Sequence, residues 1–248
     1  MRDRIFLSIL ATVLVGCDDG GGSSSPSQGG SMARFAIAGD YLYTINQREM
    51  NVLDIKDATT PKKVNKIHVP FDVETLFAYA NNLYVGSSSG LYIYDKTTPT
   101  QPTRVAMLQH IQSCDPVVVS EDVAYVTLHS DSSCWQGEGE NRLEIIDVKT
   151  PDTPKLIKAV DMWEPKGLGV DGKNLFICDG SNGLRVYDID KSDNNGTVSV
   201  SIDLTDSKRE IDCYDVIANN KNLVVSNGKD IRQFNYRTFP MEELGRIK

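Results

Sequence analysis

Five in-register copies of one five-residue motif, apolar–polar alternation around each copy, and turn residues between the segments predict an all-β chain. Its expected form is a β-propeller of about five four-stranded blades. The motif reads Met50-Asn-Val-Leu-Asp54, Leu91-Tyr-Ile-Tyr-Asp95, Leu143-Glu-Ile-Ile-Asp147, Leu184-Arg-Val-Tyr-Asp188 and Ile231-Arg-Gln-Phe-Asn235, and its starts lie 41, 52, 41 and 47 residues apart. A unit of this length cannot bury both faces of its sheet alone, whereas a ring of such units can. An open β-solenoid and a two-sheet sandwich are the competing architectures.

The second copy shows the four strands most plainly, over residues 73–79, 83–86, 91–95 and 104–111. Asn81-Asn82, Ser87 to Gly90 and Thr97 to Pro102 supply the turns. In the other copies Tyr43, Phe176 and Val224 stand where Tyr84 does, seven or eight residues before the motif. Tyr125 precedes its motif by 18 residues, so the third copy holds an 11-residue insertion. The closing aspartate is placed to accept backbone N–H groups of the next turn. Pro61, Pro102 and Pro154 then sit at a strand start, where a missing donor does least harm. The fourth copy has Asp188 to Gly196 in that region, read as a hairpin loop rather than a calcium loop, because the bidentate acid a calcium loop needs is absent. Copy one already has a first strand over 33–38 and copy five a fourth over 242–247. No strand is left to cross the seam and latch the ring.

The five motifs resemble the LVIVD repeat, a family of bacterial and archaeal cell-surface propeller repeats, with Leu143 to Asp147, Val148 and Pro154 as the best copy. The resemblance runs over about 33–248 and is weakest in copy five, where Asn235 replaces the aspartate and Arg232 and Gln233 take strand positions. It implies a surface-exposed scaffold and brings no catalytic residues.

At the front, Ile5 to Val15 is an 11-residue apolar run, too short to span a bilayer and suited to a signal-peptide core. It ends Leu14-Val15-Gly16-Cys17, which looks like a lipobox, so Cys17 is expected to be the lipidated mature N-terminus, acylated with palmitate-type chains. Gly20 to Ser31 reads as a flexible tether; with Asp18 and Asp19 it would reach about 20 Å. The expected organisation is a signal peptide over 1–16, a lipidated tether over 17–31 and the propeller over 32–248. The blades are expected at about 32–69, 71–111, 114–161, 165–204 and 212–248. Asp18-Asp19 fits either inner-membrane retention or surface export, so the location is the bacterial envelope with the leaflet open.

The net charge is −8. Loss of residues 1–16, with two arginines and one aspartate, makes it −9. With no basic cluster, nucleic acid is not an expected partner. Cys17 apart, four cysteines remain for an oxidising compartment. Blade order favours pairing Cys114 with Cys134 and Cys178 with Cys213; four free thiols are the alternative.

No metal, cofactor or nucleophile motif stands out. His68, His110 and His129 lack ligand spacing, and there is no nucleophile elbow or phosphate loop. Asp72, Glu74, Asp115, Glu164, Asp212 and Asp215 fall where first strands begin, around the mouth of the central channel. A glycosidase pair could be drawn from them, as could a rim of solvated acids. Trp135, in the insertion with Glu138 and Glu140, and Trp163 beside Glu164 fall on loops of one face. Exposed tryptophan beside carboxylates suits a sugar or a protein hot spot; the competing reading is that each ring caps the core. The expected function is an envelope lipoprotein that binds or scaffolds a protein or glycan. A glycoside-active enzyme and a structural surface protein without a ligand are the alternatives.

Overall fold

The computed structural model describes residues 30–46, 48–69, 73–109, 116–130 and 140–248. It is a five-bladed β-propeller, each blade an antiparallel sheet of four consecutive strands. Blade one holds β1 (Phe35–Ala38), β2 (Tyr41–Asn46), β3 (Glu49–Asp54) and β4 (Lys62–His68). Blade two holds β5 (Val73–Tyr79), β6 (Asn82–Ser87), β7 (Gly90–Asp95) and β8 (Thr103–Gln109). Blade three holds β9 (Val117–Ser120), β10 (Val123–Leu128), β11 (Arg142–Asp147) and β12 (Lys155–Asp161). Blade four holds β13 (Pro165–Asp171), β14 (Asn174–Asp179), β15 (Leu184–Asn194) and β16 (Thr197–Lys208). Blade five holds β17 (Asp215–Asn219), β18 (Asn222–Ser226), β19 (Ile231–Asn235) and β20 (Glu242–Ile247). The helical content of the described residues is one 3-10 turn, Gly180–Asn182.

The five-residue motif is the third strand of every blade, and its alternation sorts side chains between two faces. Met50 and Val52, or Leu91 and Ile93, point to the leading face, toward the next blade. Tyr92 and Tyr94 point to the trailing face, toward the blade before. The closing residue works as expected: Asp54, Asp95 and Asp147 accept the N–H of Lys56, Thr97 and Lys149 at 3.0, 2.6 and 3.0 Å. Asn235 does the same for Arg237 at 2.9 Å, so the change from aspartate keeps the turn. A feature absent from the motif also recurs. In all five blades the third-to-fourth strand pairing slips between the third and fourth motif residues, as at Val52/Leu53 and Gln233/Phe234. One extra residue on the outer strand there makes a bulge, which bends the strand and raises its twist.

The aromatic residue before each motif has a packing role. Tyr43, Tyr84, Tyr125 and Phe176 are buried on leading faces, each wedged against the following blade. The Tyr43 hydroxyl donates to Pro99 O at 2.9 Å, in the turn of blade two. Burial pushes its phenol up to about 12. Phe176 meets Tyr236 of blade five edge-on, with centroids 4.8 Å apart.

Three apolar clusters result. One joins blades one and two, one joins two, three and four, and one joins four and five. None of them joins blade five to blade one. The leading face of blade five (Ile217, Val224, Ile231, Gln233) is exposed, and so is the trailing edge of blade one, with Phe35 at 51% and Ile37 at 55%. The polar Gln233 that weakens the fifth motif therefore lies on a face no blade covers. The ring is tied at the hub instead. Ser31 Oγ donates to Asp215 Oδ1 at 3.1 Å and accepts Leu168 N–H at 2.8 Å, while Ala33 O accepts Leu76 N–H at 2.8 Å. The incoming chain thus bonds to blades two, four and five, the latch the strand count lacked.

The loop reading of Asp188 to Gly196 needs correction. β15 runs through it to Asn194, and the turn is Asn195-Gly196, both with positive φ. Ile189, Val198 and Val200 bury their side chains against blade three, which pays for the longer hairpin. Polar residues on the other face hide that alternation in the sequence.

Candidate functional site

Blades three and four share a face on which several of the expected binding residues meet. The link from β12 to β13 carries Trp163 and Glu164, and β14 ends beneath it at Asp179. Asp179 is fully buried, and one of its carboxylate oxygens serves this link while the other serves the turn and strand that follow. Its Oδ1 accepts the N–H groups of Trp163 and Glu164, both at 2.9 Å. Its Oδ2 accepts Asn182 Nδ2 at 3.0 Å and Arg185 Nη1 at 3.3 Å. A buried carboxylate with two backbone donors and a guanidinium is well compensated. Gly180, with φ +52°, lets Glu164 lie across it, because a Cβ there would overlap the glutamate side chain.

The other side of the link is held as firmly. Asn141 Nδ2 donates to Trp163 O at 2.7 Å, and Asn141 Oδ1 accepts Ser130 N–H at 2.9 Å. Asn141 therefore ties both ends of the segment from β10 to β11 to the link. With its backbone fixed on both sides, Trp163 is still 64% exposed. The core-cap reading of Trp163 is set aside: the ring stands in solvent.

Charges of both signs lie on the same segments. Glu164 pairs with Lys166 at 3.0 Å. Arg142 bridges exposed Glu140 and buried Glu144, with Nη2 2.6 Å from Glu144 Oε1. Thr127 Oγ1 donates to Lys166 O at 2.6 Å, fixing the start of β13 to blade three. Of the expected binding residues, Glu140, Trp163 and Glu164 are thus placed around Asn141. Trp135 and Glu138 lie outside the described residues, as do Cys17, Cys114 and Cys134. Asp179, Asn141, Arg142 and Lys166 escaped the sequence reading. Asp179-Gly180-Ser-Asn182 was the available signal, an acid followed by a turn and an amide able to reach back to it.

Cys178 and Cys213 form the expected disulfide, their Cα atoms 5.3 Å apart, joining β14 to the entry of blade five. At the channel mouth, Asp72 and Asp115 lie outside the described residues, and Glu164 is paired with Lys166. Asp215 turns onto the incoming chain: besides the Ser31 hydroxyl it accepts the N–H groups of Val216, Ser31 and Met32. Burial pushes its carboxyl up to about 6, and those hydrogen bonds oppose the shift. A Cβ at Gly30 would overlap this carboxylate, and one at Gly167 would meet both the carboxylate and the Asp215 backbone, so the close approach at Gly167 requires glycine. Among the described residues no three His, Cys, Asp or Glu side chains converge to hold a metal ion. No helix among them is long and apolar enough to cross a membrane.

Comparison with known proteins agrees with this architecture. The LVIVD repeat pattern matches residues 29–67, which take in most of blade one. No curated protein sequence matches the chain. Among solved structures, apo AztD from Citrobacter koseri superposes with a TM-score of 0.61 at 10% identity, over 85% of this chain and 60% of that one. The periplasmic gluconolactonase PpgL of Pseudomonas aeruginosa gives 0.57 at 13%, over 84% and 67%. BamB from Moraxella catarrhalis gives 0.52 at 12%, over 86% and 59%. At such identities the likeness shows the fold alone, and the chain spans about 60% of the length of AztD and of BamB. The chain is a five-bladed β-propeller that carries an LVIVD repeat at residues 29–67.

Proposed function

We propose that this propeller is a binding module of the bacterial envelope, lipid-anchored at Cys17, and that it captures a partner through the Trp163 face of blades three and four. One observation carries the reading: a tryptophan 64% exposed on a backbone pinned by Asp179 and Asn141. An exposed aromatic on a rigid support loses little conformational entropy on binding, which is the usual character of an interface anchor. The flanking Glu164–Lys166 and Glu140–Arg142 pairs supply a polar rim able to hydrogen-bond a protein or a glycan. The glycoside-active alternative draws less support, because Asp215 is engaged by the incoming chain and Glu164 by Lys166. Affinity capture from an envelope fraction by the full chain tests the proposal. A stoichiometric partner supports a binding module, whereas recovery of none favours a structural protein.

A further inference from the structure

The four internal seams of the propeller all follow one rule: a leading face packs on a trailing face. One leading face and one trailing face remain over. Ile217, Val224 and Ile231 are exposed on blade five, at the positions where blade two buries Phe77, Tyr84 and Leu91. Phe35 and Ile37 are exposed on blade one, where blade two buries Leu76 and Ala78. The hub bonds from Ser31 to Asp215 and Leu168 are already made, yet both faces stay uncovered, so tethering within one molecule does not close them.

We propose that two copies of this chain associate head to tail, blade five of one packing on blade one of the next. The chain's own internal seams show that such faces fit each other, and the new contact continues that series around the hub. Charge favours it as well. The uncovered face of blade one carries Lys63 and Lys66 on its outer strand, the latter paired with Glu49 at 2.5 Å, and that of blade five carries Glu242 opposite Asn235. At an internal seam, Lys149 of blade three pairs with Asp193 of blade four at 2.5 Å, so cross-blade ion pairing is already used. A four-stranded face of this size covers on the order of 500 Å² per partner, about 1,000 Å² in all, the lower bound for a specific interface. The association is therefore reversible and concentration-dependent. Because the two surfaces differ, the contact is heterologous and can extend beyond a dimer.

Sedimentation of the purified full chain in non-ionic detergent, across a concentration series, tests this. The wild type should pass from monomer to dimer and larger species. Ile37→Lys and Val224→Glu, both at exposed positions, should each hold the chain monomeric with unchanged thermal melting. Each variant keeps the face the other has lost, so an equimolar mixture should regain association and stop at the dimer. A wild type that stays monomeric throughout overturns the proposal, as does a mixture that remains monomeric or single variants that assemble as the wild type does.

Discussion

Removing the Asp179 carboxylate should be costly far out of proportion to its size. The side chain is fully buried and satisfies two backbone N–H groups, Asn182 and Arg185 at once. Asp179→Ala leaves two donors and part of a guanidinium charge without an acceptor. Breaking a buried pair of this kind costs about 3–5 kcal/mol, a large share of a domain's total stability. For a domain of this length the melting temperature should fall by roughly 10 °C. Asp179→Asn keeps one carbonyl oxygen for the two backbone donors but removes the acceptor used by Asn182 and Arg185, so about 2–3 kcal/mol should be lost. Urea unfolding followed by far-ultraviolet circular dichroism measures both. If Asp179→Ala unfolds within about 0.5 kcal/mol of the wild type, the clamp does not organise the Trp163 link and the account of the site fails.

Two further outcomes follow from the hub and the leader. Asp215 has a folded-state carboxyl near 6, above its ordinary 3.8, so ionising it costs more in the fold than in the unfolded chain. Its contribution to stability is fully present below 3.8 and is lost as pH rises through about 6, on the order of 3 kcal/mol in total. Asp215→Asn should flatten the pH dependence of unfolding in that window, and parallel curves for the two proteins would contradict the assignment. Cys17→Ser should leave the precursor unprocessed or release the chain from membranes, as read by fractionation; retention of a fully processed, membrane-bound variant would rule out the lipid anchor.

The blade pattern was legible because it is local. Alternation within Leu91 to Asp95 states which side chains point to each neighbouring blade, and the closing aspartate states where the turn lies. The Cys178–Cys213 pairing was legible too, since blade order alone brings the end of one blade's second strand to the entry of the next. The uncovered seam was not. It depends on curvature accumulated over five sheets, and Gln233 and Val224 in the fifth copy were its local trace. Asp179 was hidden for a different reason. Its partners at 163, 164, 182 and 185 come from three segments spread over 23 residues, so no single turn signature marks the cluster. The long hairpin of blade four was missed because Asp188, Asp190 and Ser192 make its outward face read as a loop.

The account's central claim is that Trp163 is an anchor presented to a partner. The most direct measurement is equilibrium binding of the captured partner to the wild type and to Trp163→Ala, alongside thermal melts of both. With the residue 64% exposed, truncation should shift melting little, within about 0.5 kcal/mol. Loss of a central aromatic anchor should weaken binding by about 2 kcal/mol or more, roughly thirtyfold. Unchanged affinity with unchanged melting would contradict the claim, and so would a variant that binds normally but melts far below the wild type.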